Sequence, residues 1–592
     1  MAPTSCFNGQ VHRLPDAPEA YGAMITRPKA APAQSRSTDL IPPTAVAYRN
    51  RLLSAHGTAC CCGLKTRGEM FGLDAKKAAD ICQTEMYGDW YRDPWGWPEL
   101  TWVINNPEDF PWSEVVHRDG NITLRREPRF EPTVVPKSRL GVRPAVVMSL
   151  DVRIAYAAAI AQVTSKLHAG LPEWVFGWRV RADKRLANNG DEWKSYSSFF
   201  HNSSMMESYA LQTDITSFFA SIDINKAVDV VYTETGDSAG ARLIEKIVRS
   251  HDALATRNGL PQRSWPSAIL ANRYMAPLDN LVSQRLSSGQ LTGAVRWMDD
   301  IYVTGEESKL YKFFLDFQSR VRELGLEANA SKSRLGRLSE IRSDVLLEGL
   351  QEVPIPVRKR IEILENGSDV VEAAVEEMDI EWLRRLEESA LHEPFSQSPA
   401  TIKVILKTLR KHKEYGRFDQ WLSFAEKLSH VADALGRYFR DAIKDDPRKM
   451  ATYCDWYSDY RLTDWAAIHW SSAQFALSLP SSSGLETYKE VMAEWLEKGS
   501  DLHQVSVAAQ RLAKIDPTST KDIIRRRLDD EARPTFQRIY ALALLNARDE
   551  RSLISRTIKQ DASNVVTRRW LEATNYTAPR VSADYDWASP EG

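Results

Sequence analysis

The stretch RWMDDIYV, Arg296–Val303, sets two adjacent carboxylates, Asp299 and Asp300, between runs that read as β-strands. GAVRWM before the pair and IYVTGE after it predict two strands joined by a tight turn, with both acids in the turn. Asp is common in turns, so the pair alone is compatible with a polar hairpin tip. Upstream, SYALQTDI (Ser208–Ile215) alternates in its second half, with Leu211, Thr213 and Ile215 set against Gln212 and Asp214. Asp214 therefore ends another strand. A carboxylate there is costly unless it is solvated, paired or bound to metal. Carboxylates converging from adjacent strands hold hard cations through oxygen. Two Mg2+ ions about 4 Å apart can activate an attacking hydroxyl and stabilise a leaving pyrophosphate. That is the chemistry of nucleotidyl transfer.

Outward from these acids, strand-like and helical runs alternate from about Arg126 to Leu335, as in an α+β domain. LIEKIVRS and AILANRYMAPLDNLVSQRL read as helices, the second with Leu270, Tyr274, Leu278 and Val282 in one stripe. Beyond about Pro354 strand signals stop, and amphipathic helices run to about residue 573. Ile402, Ile405, Leu406 and Leu409 share one face; Trp421, Phe424, Leu428, Val431 and Leu435 share another. This succession predicts a degenerate helical-pair solenoid or bundle. DWYRDPWGWPELTWV (Asp89–Val103) is dense in Trp and Pro. It reads as a local aromatic core or as a surface on which bases stack.

With 592 residues, the chain has room for about two to four domains. Its hydrophobic fraction of 43% supports sizeable cores, and its formal charge of -2 advertises no nucleic-acid partner globally, leaving room for a local basic channel. Six cysteines, three of them contiguous at Cys60–Cys62, make neither a disulfide framework nor a zinc site. A reducing, cytoplasmic setting is expected. No apolar run approaches the ~20 residues of a membrane span, so no membrane partner is expected. The expected organisation is a largely disordered extension over 1–69, an α+β unit over 70–350, helices over 351–576 and a disordered tail over 577–592. Met70 is a plausible alternative start.

Taken in order, the motifs resemble those of reverse transcriptases. TDITSFF (Thr213–Phe219) resembles their first palm motif, GLPQRSWPSAILAN the second, RWMDDIYV the third and LGLEANASKS (Leu324–Ser333) the fourth. VPKSRLGVRPAVVMSLDVRIAYAA (Val135–Ala158) resembles the fingers motif, and FGWR (Phe176–Arg179) also fits. The resemblance covers about residues 126–336 and implies a right-hand palm-and-fingers core. It implies that Asp214, Ile215, Asp299 and Asp300 form the metal set for two Mg2+ ions, with Mn2+ as an alternative. It implies that Phe219 excludes the ribose 2'-hydroxyl, so that deoxynucleotides give a DNA product. Lys137 and Arg143 would grip the triphosphate. Gln262, Arg263 and Asn329 would complete the nucleotide site, and Lys332 would donate a proton to pyrophosphate.

The second motif departs from the pattern. Arg263 stands where Gly is usual, Trp265 and Ala268 where Pro is usual, and in the third motif Trp297 replaces Tyr. Lineage drift explains these changes, as does intrusion of Arg263 and Trp265 into the template path, where an Arg fork and an indole can bond or stack on bases. Synthesis would then be untemplated or directed by side chains. A long helical region follows, with no maturase, integrase, zinc-finger or endonuclease signature. That architecture resembles the bacterial abortive-infection and defence-associated reverse transcriptases, in which a helical-repeat (HEAT-like) domain replaces the thumb. This resemblance implies antiphage defence, priming from a tyrosine, homo-oligomers and further defence subunits. Tyr21, Tyr48, Tyr576 and Tyr585 are candidate primers, and Lys407, Arg410, Lys411 and Lys413 a candidate exit path for product. Two alternatives stand beside it: a retron or group II intron type polymerase copying a dedicated non-coding RNA, and a polymerase-derived scaffold that binds a phage or host protein.

Overall fold

A five-stranded sheet carries the acids. In this computed structural model the described residues are 69–579, apart from 87–88, 120, 138–140, 182–185, 203–206, 255–258, 342–352, 354, 367–368, 480–487, 529 and 546–549. Tyr21, Tyr48, Cys60–Cys62 and Tyr585, with most of the expected N-terminal extension and tail, lie outside the described residues. The described residues belong to one compact unit.

After two short paired strands, Glu69–Met70 and Leu73–Asp74, comes helix α1 (Ala75–Glu85), and further on the hairpin β1 (Phe130–Pro136) and β2 (Val142–Met148) leads into α2 (Leu150–Leu167). Then come β3 (Val175–Phe176), α3 (Asn189–Ser198), β4 (Tyr209–Thr213), α4 (Ala239–Asp252), α5 (Trp265–Tyr274) and α6 (Ala276–Ser287). Strands β5 (Gly293–Trp297) and β6 (Asp300–Gly305), helix α7 (Glu307–Glu323) and β7 (Arg334–Arg337) complete this part. The sheet order is β7-β4-β6-β5-β3, antiparallel except for the parallel pair β3 and β5. Successive residues of a strand face opposite sides, and here both sides are covered. Leu211, Ile301 and Val303 join the main core, whereas Ala210, Val295 and Tyr302 pack with Tyr196 and Phe200 around α3.

The stripe Leu270, Tyr274, Leu278 and Val282 is buried throughout, but it spans two helices. Pro277 sits at the start of α6, where its missing N–H removes no bond the helix needs, and the chain turns at Met275. The reading of Trp421–Phe439 as one helix is likewise corrected. A short helix, Phe418–Phe424, passes through a 3-10 stretch with a non-helical Leu428 (φ -97°, ψ 31°) into Ala432–Ile443.

A larger correction concerns the region past Pro354. Two ten-residue strands, β8 (Val357–Asn366) and β9 (Asp369–Met378), pair antiparallel before the helices begin at Ile380. The cue is Asn366-Gly367 between the runs, a hairpin signal outweighed by the helix-forming EAAVEEM. From Ile380 on, the described elements are helical.

The Trp-rich segment is core. Tyr91, Trp95, Trp97 and Trp102 are buried, and Trp90 is half-buried. Arg538 reaches this segment from helix Pro534–Leu544. It donates to Glu99 at 2.7 and 2.9 Å and to Asp93 at 3.0 and 2.9 Å, with its guanidinium 4.3 Å from the Trp97 ring centre. Gln510 donates to the Pro94 carbonyl at 2.6 Å and Trp470 to that of Trp90 at 3.2 Å. The C-terminal helices thus close directly against the start of the described chain. Among the described residues no helix is long and apolar enough to cross a membrane.

Candidate active site

Asp214 follows the last residue of β4 and is buried, with 6% of its surface exposed. After α7 the chain returns antiparallel to residues 214–216. Ile215 bridges Ala328, Thr216 N–H donates to the Glu327 carbonyl at 2.9 Å and Asn329 N–H to the Asp214 carbonyl at 2.8 Å. This return is what brings the fourth motif to the first. Asn329 Nδ2 donates to Asp214 Oδ2 at 3.0 Å, and Lys332 Nζ lies 3.1 Å from the same oxygen. Ile215 is buried and presents its backbone beside the acids.

The acid pair is not wholly in the turn. Trp297 pairs with Asp300, so the two-residue turn is Met298-Asp299, and Asp300 is the first residue of β6. Met298 holds a φ of 54°, a left-handed conformation that glycine usually supplies at the first turn position. The half-buried Asp299 carboxyl is in hydrogen-bonding contact with Asp214. Burial first, and then the Asp214 charge, raise Asp299 from 3.8 to about 7, with Lys332 opposing. Burial works against the charge on Lys332, but Asp214 ahead of Asp300 and Asp299 outweighs it and raises the ammonium above its usual value. Among the described residues no three acidic, His or Cys side chains already converge as a metal cage. Two touching carboxylates, a third on the next residue and a single lysine form an all-oxygen, excess-negative set, which fits a hard divalent cation.

Cations face these acids from β1–β2. Lys137, just past β1, is lowered by burial, then by Arg143 and Lys332, against the pull of Asp214 and Asp299. Arg143, on β2, lies 5.8 Å from the Trp90 ring centre, and Arg263 lies 4.6 Å from the same ring. Arg263 holds a φ of 56°. Burial and then Arg143 lower its pKa, and Asp89 and Asp433 oppose. Both acids are already engaged, Asp89 with Arg153, and Asp433 with Arg92 at 3.5 Å and Lys403 at 3.3 Å. Positive charge therefore concentrates at Trp90.

Phe219 is half-buried against Phe218, with ring centres 5.3 Å apart. Its carbonyl accepts from Leu260 N–H at 2.9 Å, so the second motif lies directly on the first. Gly259 permits this: a Cβ there would stand 2.2 Å from the Phe219 carbonyl oxygen. Gln262 lines a shallow pocket with Ala220, His251 and Pro144–Val146 of β2.

Trp265 presents no exposed indole on which a base could stack. It is buried, its ring edge-on to Trp178 at 5.3 Å, and its backbone N–H donates to Glu85 of α1 at 2.6 Å. Tyr576 is half-buried at the end of the last helix, 5.9 Å from Arg551, so it is packed rather than a loose hydroxyl. Arg410 pairs with Asp441 at 2.8 Å. Trp90 lies in the segment read as a core or stacking surface, whereas His251 and Arg296 had no such reading; Arg296 carries a signal, a lone cation inside an apolar strand run.

Residues 135–364 match the model of the reverse transcriptase (RNA-dependent DNA polymerase) family. No curated protein matches the chain. Among solved structures, a telomerase from Candida albicans in complex with a TWJ fragment of telomeric RNA is similar at 10% identity and a TM-score of 0.26. That match covers 71% of this chain and 66% of the telomerase chain. The family match makes residues 135–364 a reverse transcriptase domain and the chain a nucleotidyltransferase.

Proposed function

We propose that the chain is a reverse-transcriptase-like DNA polymerase of bacterial antiphage defence, acting in the cytoplasm on dNTPs. The observation that carries the polymerase reading is the Asp214–Asp299 contact, with Asp300 adjacent and Lys332 bonded to Asp214. Asp214, Asp299, Asp300 and the Ile215 carbonyl would hold two Mg2+ ions, with Mn2+ able to replace them. Such ions supply Lewis acidity to the attacking and leaving oxygens.

The chain's own groups do the rest. Lys137, Arg143 and Arg263 bind triphosphate oxygens, and Phe219 sits under the sugar. Gln262 and Asn329 orient the nucleotide, Asn329 in part through its bond to Asp214. A 3'-hydroxyl, or a tyrosine hydroxyl at initiation, attacks the α-phosphate. The new P–O bond forms as the α–β bond breaks, the hydroxyl proton leaves to solvent, and Lys332 donates a proton to pyrophosphate. The packing of Tyr576 weighs against it as the primer, beside the other candidates Tyr21, Tyr48 and Tyr585.

The organisation proposed with this function is fingers and palm over 70–350, the β8–β9 hairpin after it, and a HEAT-like helical domain from Ile380 to residue 576, in a homo-oligomer. Defence, tyrosine priming and oligomerisation rest on the family resemblance alone. Arg263 at the Gly position favours synthesis that does not copy a conventional template.

The test is to incubate purified protein with each labelled dNTP alone and in mixtures, before and after nuclease treatment, and to follow label through denaturation. Incorporation that survives nuclease treatment and stays with protein supports the reading. Product whose sequence follows a co-purified RNA would instead identify a polymerase that copies a dedicated RNA. Defence that survives Asp299→Asn with Asp300→Asn would identify a scaffold.

A further inference from the structure

The turn that presents Asp299 is short, and Met298 is held in a conformation unfavourable to a side-chain-bearing residue. Something must hold it there, and a buried arginine touches it. Arg296 is 1% exposed, in the last turn-proximal positions of β5. Its guanidinium makes four hydrogen bonds. Nε donates to Asp279 Oδ1 at 2.9 Å and Nη2 to Asp279 Oδ2 at 2.7 Å, a two-pronged pair inside the core. Nη1 donates to Asn272 Oδ1 at 3.0 Å and to the carbonyl oxygen of Met298 at 2.8 Å. Asn272 in turn donates to the Gly177 carbonyl at 3.0 Å. Asp279 and Asn272 are themselves buried, on α6 and α5.

The rigid fork of arginine thus fixes three things at once: two helices beneath the sheet and the carbonyl immediately preceding Asp299. A lysine, with a flexible stem and a point charge, cannot reproduce the fork. A buried ion pair contributes little net stability over well-packed apolar residues, so stability alone does not account for the pair here. The contact with Met298 supplies a role, because a carboxylate that must meet a cation at a set position needs a fixed backbone.

We propose that Arg296 is a positioning residue for the metal-binding carboxylate Asp299: anchored by Asp279 and Asn272, it clamps the Met298 carbonyl and fixes the turn that aims Asp299 beside Asp214. This rests on the reading of Asp299 as a metal ligand. Arg296 touches neither nucleotide nor metal in this account, and it acts only through the turn.

Replacing Arg296 alone by alanine strands the buried Asp279 charge and invites misfolding. The test therefore pairs Arg296→Met with Asp279→Leu, which removes the pair without leaving a charge, and adds Arg296→Lys. Mn2+ binding to the full-length protein, read by electron paramagnetic resonance without nucleotide, is measured beside thermal melting. Loss of support around a metal ligand weakens metal affinity by roughly 10–100-fold. The expected result is that loss in both variants, with melting close to wild type in the double replacement. In incorporation assays the Mg2+ requirement rises by a similar factor while KM for dNTP changes less than about threefold. Both variants binding Mn2+ like wild type, or both binding weakly only in proportion to lost folded protein, overturns the proposal. Wild-type protein that binds Mn2+ yet incorporates no dNTP would count against the polymerase reading, while the comparison of Mn2+ affinities would still decide the role of Arg296.

Discussion

Replacing Asp299 with Asn should stabilise the metal-free protein at alkaline pH while removing its activity. Burial and the Asp214 carboxylate raise Asp299 from 3.8 to about 7. The folded protein therefore holds a proton that the unfolded chain has released. Stability linked to this group is fully present below about pH 4 and falls as pH rises through about 7. A shift of about three pH units at about 1.4 kcal/mol each bounds the effect at about 4 kcal/mol. Asp299 is half-buried and shares its interaction with Asp214 and Lys332, so about 1–3 kcal/mol is expected. An uncharged Asn neither repels Asp214 nor titrates, so it escapes the loss. Urea unfolding in EDTA at pH 5 and pH 8 measures this. The wild-type midpoint should fall more between the two than that of Asp299→Asn, since the buried Glu85 and Glu131, both pushed up to about 7, titrate alike in both proteins, and saturating Mg2+ should close the gap. A variant less stable than wild type at pH 8, or a difference independent of pH, would refute the repulsion on which the metal site is argued.

Other perturbations separate the parts of the site. Asp214→Asn and Asp300→Asn should each bring dNTP incorporation below detection with folding intact, as followed by circular dichroism. Phe219→Ala should raise the ratio of ribonucleotide to deoxynucleotide incorporation by about 10–200-fold, the range open to a steric contact worth about 1–3 kcal/mol, measured in competition. Arg143→Gln and Arg263→Gln should each raise KM for dNTP by about 10–100-fold, since each charge-assisted bond contributes about 1.5–3 kcal/mol. Arg538→Met leaves Asp93 and Glu99 buried without their cation, and should cost about 3–5 kcal/mol of stability in denaturation.

The acids were legible because their chemistry is written locally. RWMDDIYV announces a hairpin by strand alternation, and TDITSFF an acid at a strand end. Their meeting depends on the antiparallel return of residues 326–333, whose Asn329 and Lys332 reach Asp214 over a long separation in the chain. Periodicity cannot report that, and only the order of motifs pointed to it. Trp265 shows the converse limit. An unusual residue in a motif suggested an exposed indole, yet the ring is buried edge-on to Trp178 while Glu85 holds the backbone N–H, and neither partner lies near it in sequence. Trp90 departed from its buried tryptophan neighbours for the same reason, being half-buried beneath two arginines from other segments. The β8–β9 hairpin was missed because alanine and glutamate in β9 favour helix, and pairing with β8 overrides that preference.

These carboxylates, holding two Mg2+ ions, are proposed to transfer a nucleotidyl group from a dNTP. A dNTP carrying distinct labels on its α- and γ-phosphates tests this most directly, with wild-type protein and Asp299→Asn compared in Mg2+. The account predicts retention of the α label in macromolecular product, one pyrophosphate carrying the γ label released per nucleotide added, and neither event in the variant. Incorporation of both labels, or equal incorporation by wild type and variant, would contradict it.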